Sequence, residues 1–461
     1  MIKLNKVLLA SSMLISVATQ ASTSPKYVFY MIGDGMSSAQ RQISEYYAQE
    51  QKNDPNYHLA VNSMPVSGII TTQSADTLVT DSAAAGTALA TGIKTNNGVI
   101  AMTPEGKKLK TLLEGAQKQG KATGLISTTR LTHATPATFV AKNMNRNAEN
   151  EIANDFVDAN VDFLAAGGFR NFISGKNSKR KDNRNLINEF KEHGYKTFIG
   201  KASTSSFLNY NPQVGEQVLA LFTKSHLPYA MDRIEGQTPS LSQITHNGIE
   251  LLAKDKDGFF LMVEGGRIDH AAHANDVAGV VGDTIAFDNA VKEAIAFYKK
   301  HPKETLIVVV GDHETGGMGL GMGKHYFINI DRVANFKESI EDKLQGVYKG
   351  DHAAFFKHIE EKFALKDLTA DEKEQINAAM NFVDTGKKDT AKRWGGYDPV
   401  AMAVAHVTSK RAGIYWTSYV HTATQIIVSA QGVHAADFGG FYDNTDVAKK
   451  LANIIDVNIG Q

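Results

Sequence analysis

Short apolar runs alternate along this chain with stretches of helical spacing. The runs at residues 27–32, 68–72, 122–127, 259–263, 305–310 and 425–430 are rich in β-branched or aromatic residues. Their apolar positions are consecutive, so they predict strands buried on both faces, as in the middle of a parallel sheet. Between them, residues 109–119 and 285–298 carry helical periodicity. Strand and helix in alternation predict an α/β fold: a three-layer sandwich with helices on both faces of a central, mostly parallel sheet. No internal repeat or low-complexity segment interrupts the pattern.

From about residue 325 to 419 the rhythm changes and charge increases. Residues 351–363 place Phe355, Ile359 and Phe363 on one helical face. Thr369-Ala370-Asp371-Glu372 has the form of a capping box opening a second helix toward Met380. This predicts a large insertion in the C-terminal third, folded over the main domain as a crown or lid.

The N-terminus has the pattern of a secretory signal. Lys3 and Lys6 precede a short apolar stretch at 7–18, and Thr19-Gln20-Ala21 is a small-residue cleavage site. Residues 1–21 are therefore expected to be removed near Ala21, leaving 22–461 as an exported chain, periplasmic or secreted. No later segment holds the roughly 18 apolar residues that a membrane span needs. The 461 residues, 42% of them hydrophobic, suffice for a large core. With 49 basic and 49 acidic residues the net charge is zero, which argues against nucleic acid as a specific partner. The basic run at 176–184 fits a solvated loop. There is no cysteine, so export brings no disulfides, and a zinc-type site must be built from imidazole and carboxylate.

Candidate chemistry gathers at strand ends. The run 27–32 leads into Gly33-Asp34-Gly35; 259–263 leads into Glu264-Gly265-Gly266 and then Asp269-His270-Ala271-Ala272-His273; 305–310 leads into Gly311-Asp312-His313-Glu314. Ligands of open α/β sheets bind at that carboxyl edge. One Asp-Gly is an ordinary turn and one histidine an ordinary structural residue. Three such strand ends together predict a metal site. Asp269 and His273, four apart, share one face of a helical turn. Mixed imidazole and carboxylate ligation suits zinc, and the oxygens of Asp34 and Glu264 suit magnesium. Ser82, in Thr80-Asp81-Ser82-Ala83-Ala84-Ala85, precedes small helix-favouring residues. It is either a helix N-cap or a nucleophile placed where free N–H groups attract an anion.

Gly33-Asp34-Gly35-Met36, Thr80-Asp81-Ser82-Ala83-Ala84, Met262-Val263-Glu264-Gly265 and Gly311-Asp312-His313 resemble, in order, the signature segments of the alkaline phosphatase family. The resemblance runs from about residue 27 to 325 and resumes near 419. It implies a phosphate-monoester hydrolase with a phosphoserine intermediate, two zinc ions and one magnesium per chain, and a homodimer. It implies one zinc on Asp269, His273 and His421, with His434 a rival for the last position. The second zinc falls to Asp34, Asp312, His313 and, without phosphate, Ser82. Magnesium falls to Asp34, Thr135 and Glu264. Arg146, eleven residues after Thr135, matches the family's phosphate-binding arginine, and His133 and His270 border the substrate and the third metal. A sulfatase is disfavoured because Ser82 is not followed by the Pro and Arg of that modification motif. A diesterase and an exported zinc- or phosphate-binding protein without turnover stand as the rival functions.

Overall fold

The computed structural model describes residues 24–324 and 326–461; the expected signal peptide, 1–21, lies outside them. Fourteen strands follow one another among the described residues: β1 (Tyr27–Gly33), β2 (Val66–Thr71), β3 (Ala122–Arg130), β4 (Phe163–Gly167), β5 (Lys196–Ile199), β6 (Val218–Leu221), β7 (Phe259–Glu264), β8 (Thr305–Gly311), β9 (Glu314–Thr315), β10 (Gly319–Leu320), β11 (Ile414–Tyr415), β12 (His421–Thr422), β13 (Ile426–Gly432) and β14 (Gly440–Asp443). Ten of them form one sheet in the order β14-β2-β13-β8-β1-β7-β3-β4-β6-β5.

Every residue of β1 and β8 is buried, because helices cover both faces of the sheet. Val28, Tyr30 and Ile32 enter one core cluster and Tyr27, Phe29 and Met31 the other. Leu306, Val308 and Val310 divide from Ile307 and Val309 in the same way. Two apolar faces on one strand are why its sequence is apolar at consecutive positions.

Two departures from the sequence expectation matter. The run at 425–430 forms β13, but it is antiparallel to both neighbours, β2 and β8. Near the other edge, β2 alternates instead of being buried throughout: Ile70 is fully buried and Ile69 is 42% exposed. Only the four-residue β14 lies beyond it, paired parallel. Within the ten-stranded sheet four strands, β4, β5, β6 and β14, escape the pattern altogether. Each has four or five residues, and a run that short does not separate strand from buried helix by periodicity.

Among the helices, the expected 109–119 is Leu112–Lys118. Thr111 starts it with a capping box: its hydroxyl accepts from the Glu114 N–H (3.2 Å), and its own N–H donates to the Glu114 carboxylate (2.8 Å). The expected 285–298 is the middle of Val277–Lys300, capped by Asp276. In the charged region, His352–Phe363 and Ala370–Asp384 form where the pattern places them, the latter on the Thr369–Glu372 capping box. Phe355, Ile359, Phe363, Ile376 and Met380 join Ile340, Leu344 and Val404 in a third core cluster, which also takes in Ala274 beside the main sheet.

Gly311, at the end of β8, shows how tightly the carboxyl edge is packed. A Cβ there would lie 2.2 Å from the Met36 carbonyl oxygen. Gly311→Ala is expected to cost about 1–3 kcal/mol by overpacking. Urea denaturation of the variant against the parent measures it, and an unchanged midpoint would mean that the turn after β1 yields freely.

Candidate metal centre

Parallel register brings the acids together. Ile32 of β1 pairs with Glu264 of β7 and with Val310 of β8, and Gly33 pairs with Gly311. The carboxylates of Asp34, Glu264 and Asp312 therefore emerge side by side at one edge of the sheet. Asp312 Oδ1 accepts from the N–H groups of Gly35 (3.1 Å) and His313 (2.9 Å), which joins the two turns. After β7, the helix Arg267–His273 sets Asp269 and His273 one turn apart. The β9–β12 ladder pairs Thr315 with His421 and so carries that histidine to them. Three sets of donor atoms result, each within 4.8 Å of one another: Asp269, His273 and His421; Asp34, Asp312 and His313; Asp34, His133 and Glu264.

In the first set the rings are aimed by backbone carbonyls. His273 Nδ1 donates to the Tyr419 carbonyl (2.6 Å) and His421 Nδ1 to the Thr80 carbonyl (2.8 Å). A neutral ring that donates from Nδ1 presents a lone pair at Nε2. The two Nε2 atoms lie 3.2 Å apart. Asp269 Oδ1 is 3.3 Å from one and 3.5 Å from the other. Three acceptors turned on one another require a proton or a cation between them. A proton can serve: the Asp269 charge overcomes burial and raises His273 to about 9. Asp269 is held well below the usual carboxylate range, His273 and His421 outweighing the upward push of burial.

The other two sets lack positive charge. Asp34 Oδ1, Asp312 Oδ2, Glu264 Oε1 and His133 Nδ1 are buried without a hydrogen-bond partner. Burial first, then the charges of Asp312, Asp269 and Glu264, pushes Asp34 far up. Asp312 rises for the same reasons, and burial lifts Glu264 to about 7. Burial drives His133 and His313 well below their ordinary value, so both are neutral and fit to ligate. Orphaned carboxylate oxygens beside neutral imidazoles fit divalent cations. The set of Asp34, Asp312 and His313, like that of Asp269, His273 and His421, mixes imidazole with carboxylate as zinc sites do. The third set is richest in oxygen, since Thr135 Oγ1 lies 3.3 Å from Asp34 Oδ2 and the hydroxyls of Ser127 and Thr129 hold Glu264 Oε2.

Ser82 begins the helix Ser82–Thr91, but it is not the N-cap. Asp81 takes that position: Oδ1 accepts from the Ala84 N–H, and Oδ2 accepts from the Gly98 N–H and from Arg146 Nη1 (3.0 Å). That leaves the Ser82 hydroxyl, buried at a helix N-terminus, 3.1 Å from His313 Nε2. The same aspartate sets Arg146 beside it, and Arg146 Nη2 lies 3.4 Å from His133 Nε2. His270 belongs to none of the three sets; its ring stands 5.4 Å from that of His133. His434 lies elsewhere. Because β13 runs backwards, its last residue, Gly432, pairs with Leu306 at the start of β8, the opposite edge of the sheet. There His434 contacts Asp437 (3.2 Å) in a left-handed turn.

Several contributors had no motif to reveal them. Asp81 stands within the segment 80–84, but its role as the cap and as the anchor of Arg146 depends on residues distant in sequence. Thr315 Oγ1 donates to Asp269 Oδ1 (2.6 Å), and Ser127 and Thr129 end a strand. His226, whose ring is 4.3 Å from that of His270, follows β6. Placing that strand from the sequence would have exposed it as one more histidine beyond a strand end.

The sequence profile of the family described as alkaline phosphatase matches residues 25–457. Alkaline phosphatase 4 of Bacillus subtilis is 35% identical over 450 residues, 95% of this chain and 91% of that protein. Alkaline phosphatase 3 of the same organism is 36% identical, covering 94% of this chain and 90% of that one. Among solved structures, the alkaline phosphatase of Thermus thermophilus superposes with a TM-score of 0.82 at 29% identity, covering 96% of each chain. The cold-active enzyme of Shewanella sp. gives 0.80 at 27% identity, over 93% of this chain and 99% of that one.

The two late histidines separate cleanly. His421→Ala is expected to lower bound divalent metal by one ion per chain, by elemental analysis, because one of three converging donors is lost. His434→Ala should retain full content. The opposite pairing of results would move the site to the other edge of the sheet.

Proposed function

The chain belongs to the alkaline phosphatase family and is a phosphomonoesterase, and we propose that it works through a phosphoserine at Ser82 on a site of two zinc ions and one magnesium. The observation that supports this most directly is the set of buried acceptors with nothing to accept from. Asp269, His273 and His421 would hold one zinc; Asp34, Asp312 and His313, with Ser82, would hold the other. Asp34, Glu264 and Thr135 would hold magnesium, and His133 stands beside Asp34 and Glu264. A solved histidine-to-aspartate mutant of the TAB5 alkaline phosphatase is described with Mg bound in its M3 site. Bound divalent ions supply Lewis acidity, lowering the pKa of an oxygen nucleophile and offsetting phosphoryl charge.

The chain's own groups do the rest. Ser82 Oγ attacks phosphorus; its O–P bond forms as the ester P–O bond breaks, and the alcohol leaves with a proton. Water then attacks the phosphoserine, releasing inorganic phosphate and restoring the hydroxyl. The free N–H groups of the helix favour the anion at Ser82 throughout. Arg146, fixed by Asp81, offers its planar fork to two phosphoryl oxygens, and His133 and His270 border them. A diester has one unsubstituted oxygen fewer for these donors, so monoesters are preferred.

The same reading takes residues 22–461 as one catalytic domain with an insertion at about 325–419. It takes the enzyme as exported behind a cleaved signal peptide and as a homodimer. Among the described residues no helix is long and apolar enough to cross a membrane.

Ser82→Ala is expected to abolish the phosphoenzyme and cut turnover roughly a thousandfold or more, with zinc retained. Stopped-assay labelling and p-nitrophenyl phosphate turnover measure both. Parental turnover would remove the serine from the mechanism. Faster release from the bis(p-nitrophenyl) ester than from the monoester would favour a diesterase.

A further inference from the structure

Arg267 opens the helix that carries Asp269 and His273, yet it reaches no substrate and no metal donor. Its side chain is 2% exposed. Nη1 lies 2.8 Å from His270 Nδ1. Arginine has only donors, so His270 Nδ1 must be the acceptor, and in a neutral ring the proton then sits on Nε2. The contact therefore fixes both the tautomer and the angle of His270. That ring meets His226 at 4.3 Å and His133 at 5.4 Å, both edge to face at 85° and 89°. Edge-to-face packing constrains all three rings together. His133 in turn is the imidazole beside Asp34 and Glu264.

The other end of the guanidinium belongs to the inserted region. Nη2 pairs with Asp342 (2.6 Å), Nη1 lies 3.5 Å from Glu341, and the group stacks 3.6 Å over the Tyr229 ring, whose hydroxyl also bonds Glu341. Glu341 and Asp342 stand on the π-helical turn Ile340–Leu344. That turn is pinned where the Ile340 N–H donates to Asp276 (2.8 Å) and the Ser339 N–H donates to Asp232 (3.2 Å).

We propose that Arg267 is a positioning residue through which the inserted region sets the third cation pocket: Glu341 and Asp342 hold Arg267, Arg267 holds His270, and His270 holds His133. The charged segment thus affects which ion the pocket retains, although it supplies no ligand. This rests on the three-metal reading above.

The test uses the full-length holoenzyme, with Arg267→Met, Arg267→Lys and Asp342→Asn. Magnesium affinity is read by titration calorimetry on zinc-loaded protein. Arg267→Met is expected to weaken magnesium about tenfold, the scale of losing a partner that orients a metal ligand. Lysine keeps a donor and should recover part of the loss; Asp342→Asn, at a partly exposed site, should give a smaller loss with the fold intact. Nitrogen-15 shifts of His270 in the metal-free protein should report the Nε2–H tautomer in the parent and in Arg267→Lys, and a tautomer mixture in Arg267→Met. Magnesium affinity and tautomer unchanged in both Arg267→Met and Asp342→Asn would overturn the proposal. A parent that binds no magnesium beside its zinc would instead overturn the three-metal reading.

Discussion

The repulsion among four buried carboxylates is the constraint around which the rest of the site is arranged. Asp34, Glu264, Asp269 and Asp312 crowd one edge of the sheet, each raising or opposing the ionisation of another. Only Asp269 is stabilised as an anion by the protein itself, through His273 and His421. The others have oxygens with no donor. Burying such groups costs several kcal/mol each unless a counter-charge enters. Folding and metal binding are accordingly linked: a divalent ion among these oxygens offsets the cost of burying them without a donor. The neutral state of His133 and His313 follows from the same burial, and it is the state that ligates.

Sheet topology decides what can reach this edge. Parallel β1, β7 and β8 bring three acids to it by register alone. The one reversed strand, β13, then supplies His421 from the segment before it, at the same edge, and carries His434 away to the other. Had β13 been parallel, the positions would have exchanged. The choice between two similar histidines is thus a matter of strand direction.

Much of this was legible in the sequence, for a physical reason. A strand buried on both faces must be apolar at consecutive positions, so β1, β7 and β8 declare themselves, and the polar residues just beyond them stand out. Asp34, Glu264, Asp269, His273, Asp312 and His313 were visible in this way. Direction was not: residues 425–430 look the same whichever way the strand runs. The short β4, β5 and β6 were invisible, and with β6 went His226. Ser82 and Asp81 could not be ranked as cap and nucleophile from local sequence, because both residue types cap helices well. The choice depends on Gly98 and Arg146, which arrive from elsewhere in the chain.

The chain between β10 and β11 raises the opposite question: how a long excursion leaves so exacting a site undisturbed. Its two ends are closed by the β10–β11 ladder, where Gly319 faces Tyr415 and Leu320 faces Ile414. Chain beyond such a clip adds little closure cost as it lengthens, since the entropy grows only logarithmically. Just after the clip the returning chain delivers the Tyr419 carbonyl to His273 and His421 to Asp269, contacts that the β9–β12 ladder holds in register. The ladders therefore decouple donor positions from whatever the excursion does. The guanidinium of Arg267 bypasses them, joining the excursion at Asp342 to the helix of Asp269 and His273. An excursion that was only ornament would have no use for a fully buried arginine at that joint, because ordering and desolvating it is costly. Its contacts at both ends make it a mechanical link around the clip.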